Sequence, residues 1–104
     1  MFPFRVYYLF INDLSHSLQA GFSASTRNFK KAVDRNRIKR LTKEAYRLHK
    51  QELAAQLKTN NLKLAVFFIY TDKELPSFEI VKERVQIILQ KMTTIVHEMD
   101  SPRR

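Results

Sequence analysis

The chain has 104 residues, 44% of them apolar, and its 19 Lys and Arg against 10 Asp and Glu leave a net charge of +9. That length and apolar content suit one small globular domain over residues 1–104 and exclude a disordered tail. With no cysteine, a disulfide framework and a thiolate metal site are excluded, which agrees with a reducing compartment and makes the cytoplasm the default expectation.

The opening run MFPFRVYYLFI is too short to cross a bilayer, contains Arg5 and lacks both a basic leader and a small-residue cleavage site. Its aromatic and β-branched content predicts a strand over 4–11, ended by the turn formers Asn12, Asp13 and Ser15. Residues 18–25 alternate strictly, with Leu18, Ala20, Phe22 and Ala24 on one face and Gln19, Gly21, Ser23 and Ser25 on the other, as in a strand with one wet face. Gly21, the only glycine, lies inside that strand, where a missing side chain signals a bend or a close approach.

The next segment, KAVDRNRIKRLTKEAYRLHK over residues 31–50, predicts a helix. Ile38, Leu41, Ala45 and Leu48 recur at three and four to form an inward stripe, while Arg35, Asn36, Lys39, Arg40, Lys43, Arg47 and Lys50 fall around the opposite side. Arg37 falls near the apolar stripe, so either the first turn is irregular or the side chain runs along the sheet edge. Because the apolar face is needed in the core, a membrane-surface role is not expected.

Asn60 and Asn61 punctuate the exit, and LKLAVFFIY over 62–70 is apolar on both faces, as expected of a central strand covered on each side. After Leu75 and Pro76, Ser77 is the expected N-cap of a last helix whose stripe is Val81, Val85, Ile88, Met92, Ile95 and Met99, with residues 101–104 frayed. The expected fold is therefore α+β, a small mixed sheet with two helices on one side in the order β-β-α-β-α.

Catalytic and metal motifs are missing: the chain has no P-loop, no Gly-rich dinucleotide turn and no HExxH, and His16, His49 and His97 show no ligand spacing. The expectation is a protein with no catalytic residue and no metal of its own. Charge points elsewhere, since residues 27–50 hold ten of the 19 cations against two acids. A charge density almost all of one sign repels itself unless a polyanion is the partner, and nucleic acid fits better than a merely solvated face.

The stretch GFSASTRNFKKAVDRNRIKRLTKEAYR resembles the signature of the bacterial ribonuclease P protein family: a strand ending in alternating serines, a basic loop, then Arg-Asn-Arg-x-Lys-Arg-Leu and a further Arg. The flanking strands and last helix agree in order and length, so the resemblance covers nearly the whole chain. It implies an RNA-binding cofactor for a catalytic RNA that, with Mg²⁺ held mainly by the RNA, removes the 5′ leader from precursor tRNA. Carried over by position, Arg27, Lys30, Lys31, Arg35, Asn36, Arg37, Lys39 and Arg40 would lie against RNA, with Lys43 and Arg47 extending the surface. Arg5, Tyr7, Ser23 and Ser25 would belong to a cleft for the single-stranded leader, where stacking tolerates any base.

The resemblance also implies a left-handed crossover around the basic helix, against the general right-handed preference. Three departures stand out. The family's usual Ser-Lys-Lys is Ser25-Thr26-Arg27 here, Arg5 replaces a usually apolar residue, and the family's basic N-terminal helix, which closes one cleft wall, has no counterpart before the first strand. Two other readings stay open: a stand-alone basic RNA-binding module of the ribosome-associated type, or a form that docks on RNA without holding leader.

Overall fold

The computed structural model describes residues 2–13 and 16–99, so the turn at Ser15, the side chain of Met99 and the frayed end at 101–104 lie outside it. The elements are β1 (Phe4–Phe10), β2 (Leu18–Ala24), α1 (Ala32–His49), α2 (Gln51–Thr59), β3 (Leu64–Tyr70) and α3 (Phe78–Met99). The fold is α+β, as expected, with a mixed three-stranded sheet in the order β1-β3-β2. β3, the most apolar strand, takes the centre, antiparallel to β1 (Phe4 opposite Tyr70, Phe10 opposite Leu64) and parallel to β2 (Leu18 beside Leu64, Ala24 beside Tyr70).

A strand's side chains alternate between faces, so this register sorts the sheet into two surfaces. Leu64, Val66, Phe68 and Tyr70 of β3 are buried together with Phe4 and Ala24, and Phe22 stacks on Phe68 with ring centroids 5.7 Å apart. Tyr46 of α1 meets both Phe22 and Phe68 edge-on, which ties the basic helix to the sheet. Along α3, Val81, Val85, Ile88 and Met92 are buried as the spacing requires, joined by Leu89 and Val96. Ser77 starts that helix as its N-cap, its Oγ accepting the N–H of Ile80 at 3.3 Å.

Three expectations need correction. A third helix, α2, follows α1 directly through Lys50, and its Leu53 and Leu57, four residues apart, are fully buried. β3 is covered on one side only, since Phe67 on the opposite face is 42% exposed. The inward stripe of α1 is Ile38, Thr42, Ala45 and Tyr46, while Leu41 is half-buried and Leu48 exposed. The stripe therefore lies around the helix from the Leu41–Leu48 line, and the buried Thr42 hydroxyl is satisfied by donating to the Ile38 carbonyl at 2.8 Å.

The exit at Asn60 and Asn61 is as expected. Asn61 adopts φ 56°, the Leu62 N–H bonds the Leu57 carbonyl at 2.9 Å and the Asn61 N–H bonds that of Lys58 at 3.2 Å. This Schellman closure satisfies the last carbonyls of α2 and turns the chain into β3.

Candidate RNA interface

With Ile38, Thr42, Ala45 and Tyr46 turned inward, helical periodicity places Asn36, Lys39, Arg40, Lys43 and Arg47 outward, and all five are exposed. Arg37 is exposed as well. Its apparent conflict with the apolar stripe disappears because Leu48, which defined that side, lies outside the core. Among the described residues only two ion pairs form, Arg47 with Glu44 at 2.6 Å and Arg84 with Glu83 at 3.0 Å. Arg37, Lys39, Arg40 and Lys43 thus face solvent without a carboxylate to neutralise them. Glu44 is held below the usual carboxylate range by its hydrogen bonds from Arg47, whose own guanidinium is correspondingly raised.

Arg35 behaves differently. It is half-buried, and its Nη1 donates to the carbonyls of Phe29 at 2.7 Å and Lys30 at 2.9 Å, clasping the loop that enters α1. Ser25 helps to shape the same loop, its Oγ accepting the N–H groups of Arg27 at 3.2 Å and Asn28 at 3.4 Å. The Asn28 side chain donates to the Thr71 carbonyl at 3.0 Å, and Phe29 is buried against Tyr70. This anchored loop presents Arg27, Lys30 and Lys31, all exposed, beside the first turn of α1.

The uncovered sheet face is the second surface. Register places Arg5, Ile69 and Ser23 in one row, Tyr7, Phe67 and Gly21 in the next, and Leu9, Ala65 and Gln19 in the third. Tyr7 is 53% exposed and lines, with Leu9, Ile11, Gly21 and Phe67, an open cleft of about 390 Å³. Gly21 has a clear purpose here, because a Cβ at this position would stand 2.5 Å from Cε1 of Phe67 and closer still to Cδ1. Glycine lets the Cδ1–Cε1 edge of the Phe67 ring come up against β2, the close approach that its position inside the strand signalled.

Of the expected cleft residues, Arg5, Tyr7 and Ser23 share this face, and Ser25 lies just past the end of β2. The Arg5–Ser23 row is at the sheet end from which the loop leaves for α1, so aromatic platform and cationic helix are joined by a polar, basic rim. Phe67 and Leu9 were missed by the sequence reading. The period-two pattern of LKLAVFFIY could have placed Phe67 opposite the Phe68 face, but not beside Tyr7, because that needs the register between strands.

His16 is exposed, and His49 is half-buried at the end of α1 with its Nε2 shut off from solvent and unpartnered. Gln56 brings its amide to within 3.4 Å of Nδ1 of His97. The described residues contain no group of three His, Cys, Asp or Glu side chains that could hold a metal ion, and no described helix is long and apolar enough to cross a membrane.

The sequence profile of the family described as Ribonuclease P matches residues 2–93. The chain belongs to the ribonuclease P protein family. It is 33% identical over 89 residues to the ribonuclease P protein component of Chlorobium phaeobacteroides, covering 79% of this chain and 61% of that one. Against the ribonuclease P protein component of Porphyromonas gingivalis it is 34% identical over 91 residues, covering 83% and 64%. A shorter match to that of Coxiella burnetii reaches 45% over 53 residues, covering 49% of this chain and 43% of that one. The chain thus spans about three-fifths of the length of the first two relatives. No solved structure matches it. In this family member the Arg-Asn-Arg segment, residues 35–37, divides its work: Arg35 shapes the loop, while Asn36 and Arg37 stand free at the surface.

Proposed function

We propose that the chain is the RNA-binding protein partner of ribonuclease P RNA and assists that RNA in removing the 5′ leader from precursor tRNA. The observation that carries this reading is the face of α1, where Asn36, Arg37, Lys39, Arg40 and Lys43 are exposed and unneutralised on a helix locked to the core by Tyr46. A rigid helix holds its cations at fixed spacing, so phosphate binding does not cost the ordering of a loop. Arg37 and Arg40 can grip phosphate with two parallel N–H bonds, and Asn36 can both donate to and accept from a base edge.

The leader, in this reading, crosses the open sheet face. Tyr7 and Phe67 provide the flat apolar surface on which unpaired bases stack, and Arg5 and Arg27 meet the backbone at the rim. Stacking uses the π-face common to all bases, which suits a site that accepts many leader sequences. In this reading the protein supplies binding and positioning, and Mg²⁺ is held mainly by the RNA.

The test is cleavage of a precursor tRNA by a matching bacterial ribonuclease P RNA at low Mg²⁺, with and without this protein. Stimulated cleavage at the correct 5′ site is the expected result. Binding of the RNA without stimulation would leave docking alone, and absence of binding would return the chain to a generic basic module. With about six phosphate contacts, the log–log dependence of affinity on salt should have a slope of roughly −4 to −5.

A further inference from the structure

A notch of about 350 Å³ lies where the start of β2 meets the junction of α1 and α2, remote from the Arg-Asn-Arg turn and away from the open sheet face. His16, Tyr46, Lys50 and Lys58 line it, and among the described residues no carboxylate does. Neither lysine has an ion-pair partner among the described residues. The Lys50 Nζ is held 5.6 Å from the centre of the Tyr46 ring, a cation–π contact that keeps the ammonium over the notch instead of trailing into solvent. Two cations facing one concavity without a counter-charge repel each other until an anion enters.

We propose that this notch is a second phosphate seat, taking a backbone phosphate of the RNA beyond those held by Arg37, Lys39 and Arg40. The placement supports RNA as the source. Lys39, Lys43 and Lys50 follow one flank of the helix, and the eleven residues from Lys39 to Lys50 span about 16 Å at the helical rise. That is too far for one phosphate group to bridge, but it lies along the same face, so an RNA seated on the first half of α1 continues towards the notch. Lysine suits such a seat because its ammonium is a compact point charge with three rotatable donors. Tyr46 adds a hydroxyl donor that stays protonated, burial having pushed its pKa up to about 12. The inference rests on the RNA-binding reading above.

The test compares Lys50→Gln/Lys58→Gln with Lys82→Gln/Lys91→Gln, an equal charge change on exposed positions of α3, in binding to ribonuclease P RNA across a range of KCl. The notch variant should bind about tenfold more weakly at low salt and lose roughly one to two from the magnitude of the log–log slope, while the α3 variant keeps the wild-type slope. Coincident slopes for the two variants would overturn the notch. Failure of the RNA-binding reading looks different, because the wild-type protein would then not bind and Arg37→Ala would change nothing. Should the double variant melt early, Lys58→Glu alone, at an exposed position of α2, must still flatten the slope or the proposal fails.

Discussion

Gly21→Ala offers a direct reading of how β2 and β3 build the open face. The added Cβ would meet Cε1 of Phe67 at 2.5 Å, about an ångström inside ordinary contact, so the ring must swing away. Phe67 is 42% exposed and has solvent to move into, which limits the cost to an off-rotamer side chain and lost ring contact, about 1–3 kcal/mol. Replacing glycine by alanine inside a strand returns about 0.5–1 kcal/mol, because the unfolded chain loses freedom. The expected net is a loss of about 1 kcal/mol, measured by urea unfolding. In a Phe67→Ala background the clash is gone and only the entropic gain remains, so the same Gly21→Ala change should stabilise by about 0.5 kcal/mol. That inversion of sign is the signature. An equal destabilisation in both backgrounds would refute the claim that Gly21 exists to seat the Phe67 ring. Binding of single-stranded leader should fall in Gly21→Ala and Phe67→Ala alike, by about 1–3 kcal/mol for one lost stacking contact.

Further outcomes are expected elsewhere in the molecule. Arg37→Ala should weaken binding to ribonuclease P RNA by about tenfold, against less than twofold for Lys82→Ala on α3; equal small losses would favour generic charge attraction. Tyr46 and Tyr70 are both raised to about 12 by burial, with Asp72 and Glu74 contributing at Tyr70. Their folded values exceed the ordinary value near 10, so their stabilising effect is complete below that pH and is lost as pH rises towards 12. Unfolding followed by tyrosinate absorbance should therefore begin above pH about 10, and Tyr46→Phe should reduce this alkaline loss. At Asn61, where φ is 56°, glycine should be neutral or stabilise by up to about 1 kcal/mol, whereas valine should cost more than 1 kcal/mol in thermal melts.

Much of the molecule was legible because it is periodic. The alternation through 18–25 identified the core face of β2, and Ser77 marked the start of α3 through a side-chain bond that needs only local residues. The concentration of charge on α1 also followed from the sequence, since a helix displays residues three and four apart on one side wherever it packs. The errors share a cause. Ile38, Leu41, Ala45 and Leu48 formed as good a stripe in the sequence as Ile38, Thr42, Ala45 and Tyr46. Which meridian faces inward was settled by the fit of Tyr46 against Phe22 and Phe68, and Arg37 became a surface residue as a result.

In the sequence Arg35 and Asn36 fell on the outward side and Arg37 near the apolar stripe, but the path of the loop gave Arg35 two backbone carbonyls to clasp and left Asn36 and Arg37 exposed. For β3 the sequence determined only that both faces were apolar. Helices α1, α2 and α3 pack against a single face, so Phe67 remained open, and strand register set it between Tyr7 and Gly21. Local order determines what a residue can do, while pairing between distant segments decides which of those residues meet, because register and helix rotation are set by contacts far apart in the chain.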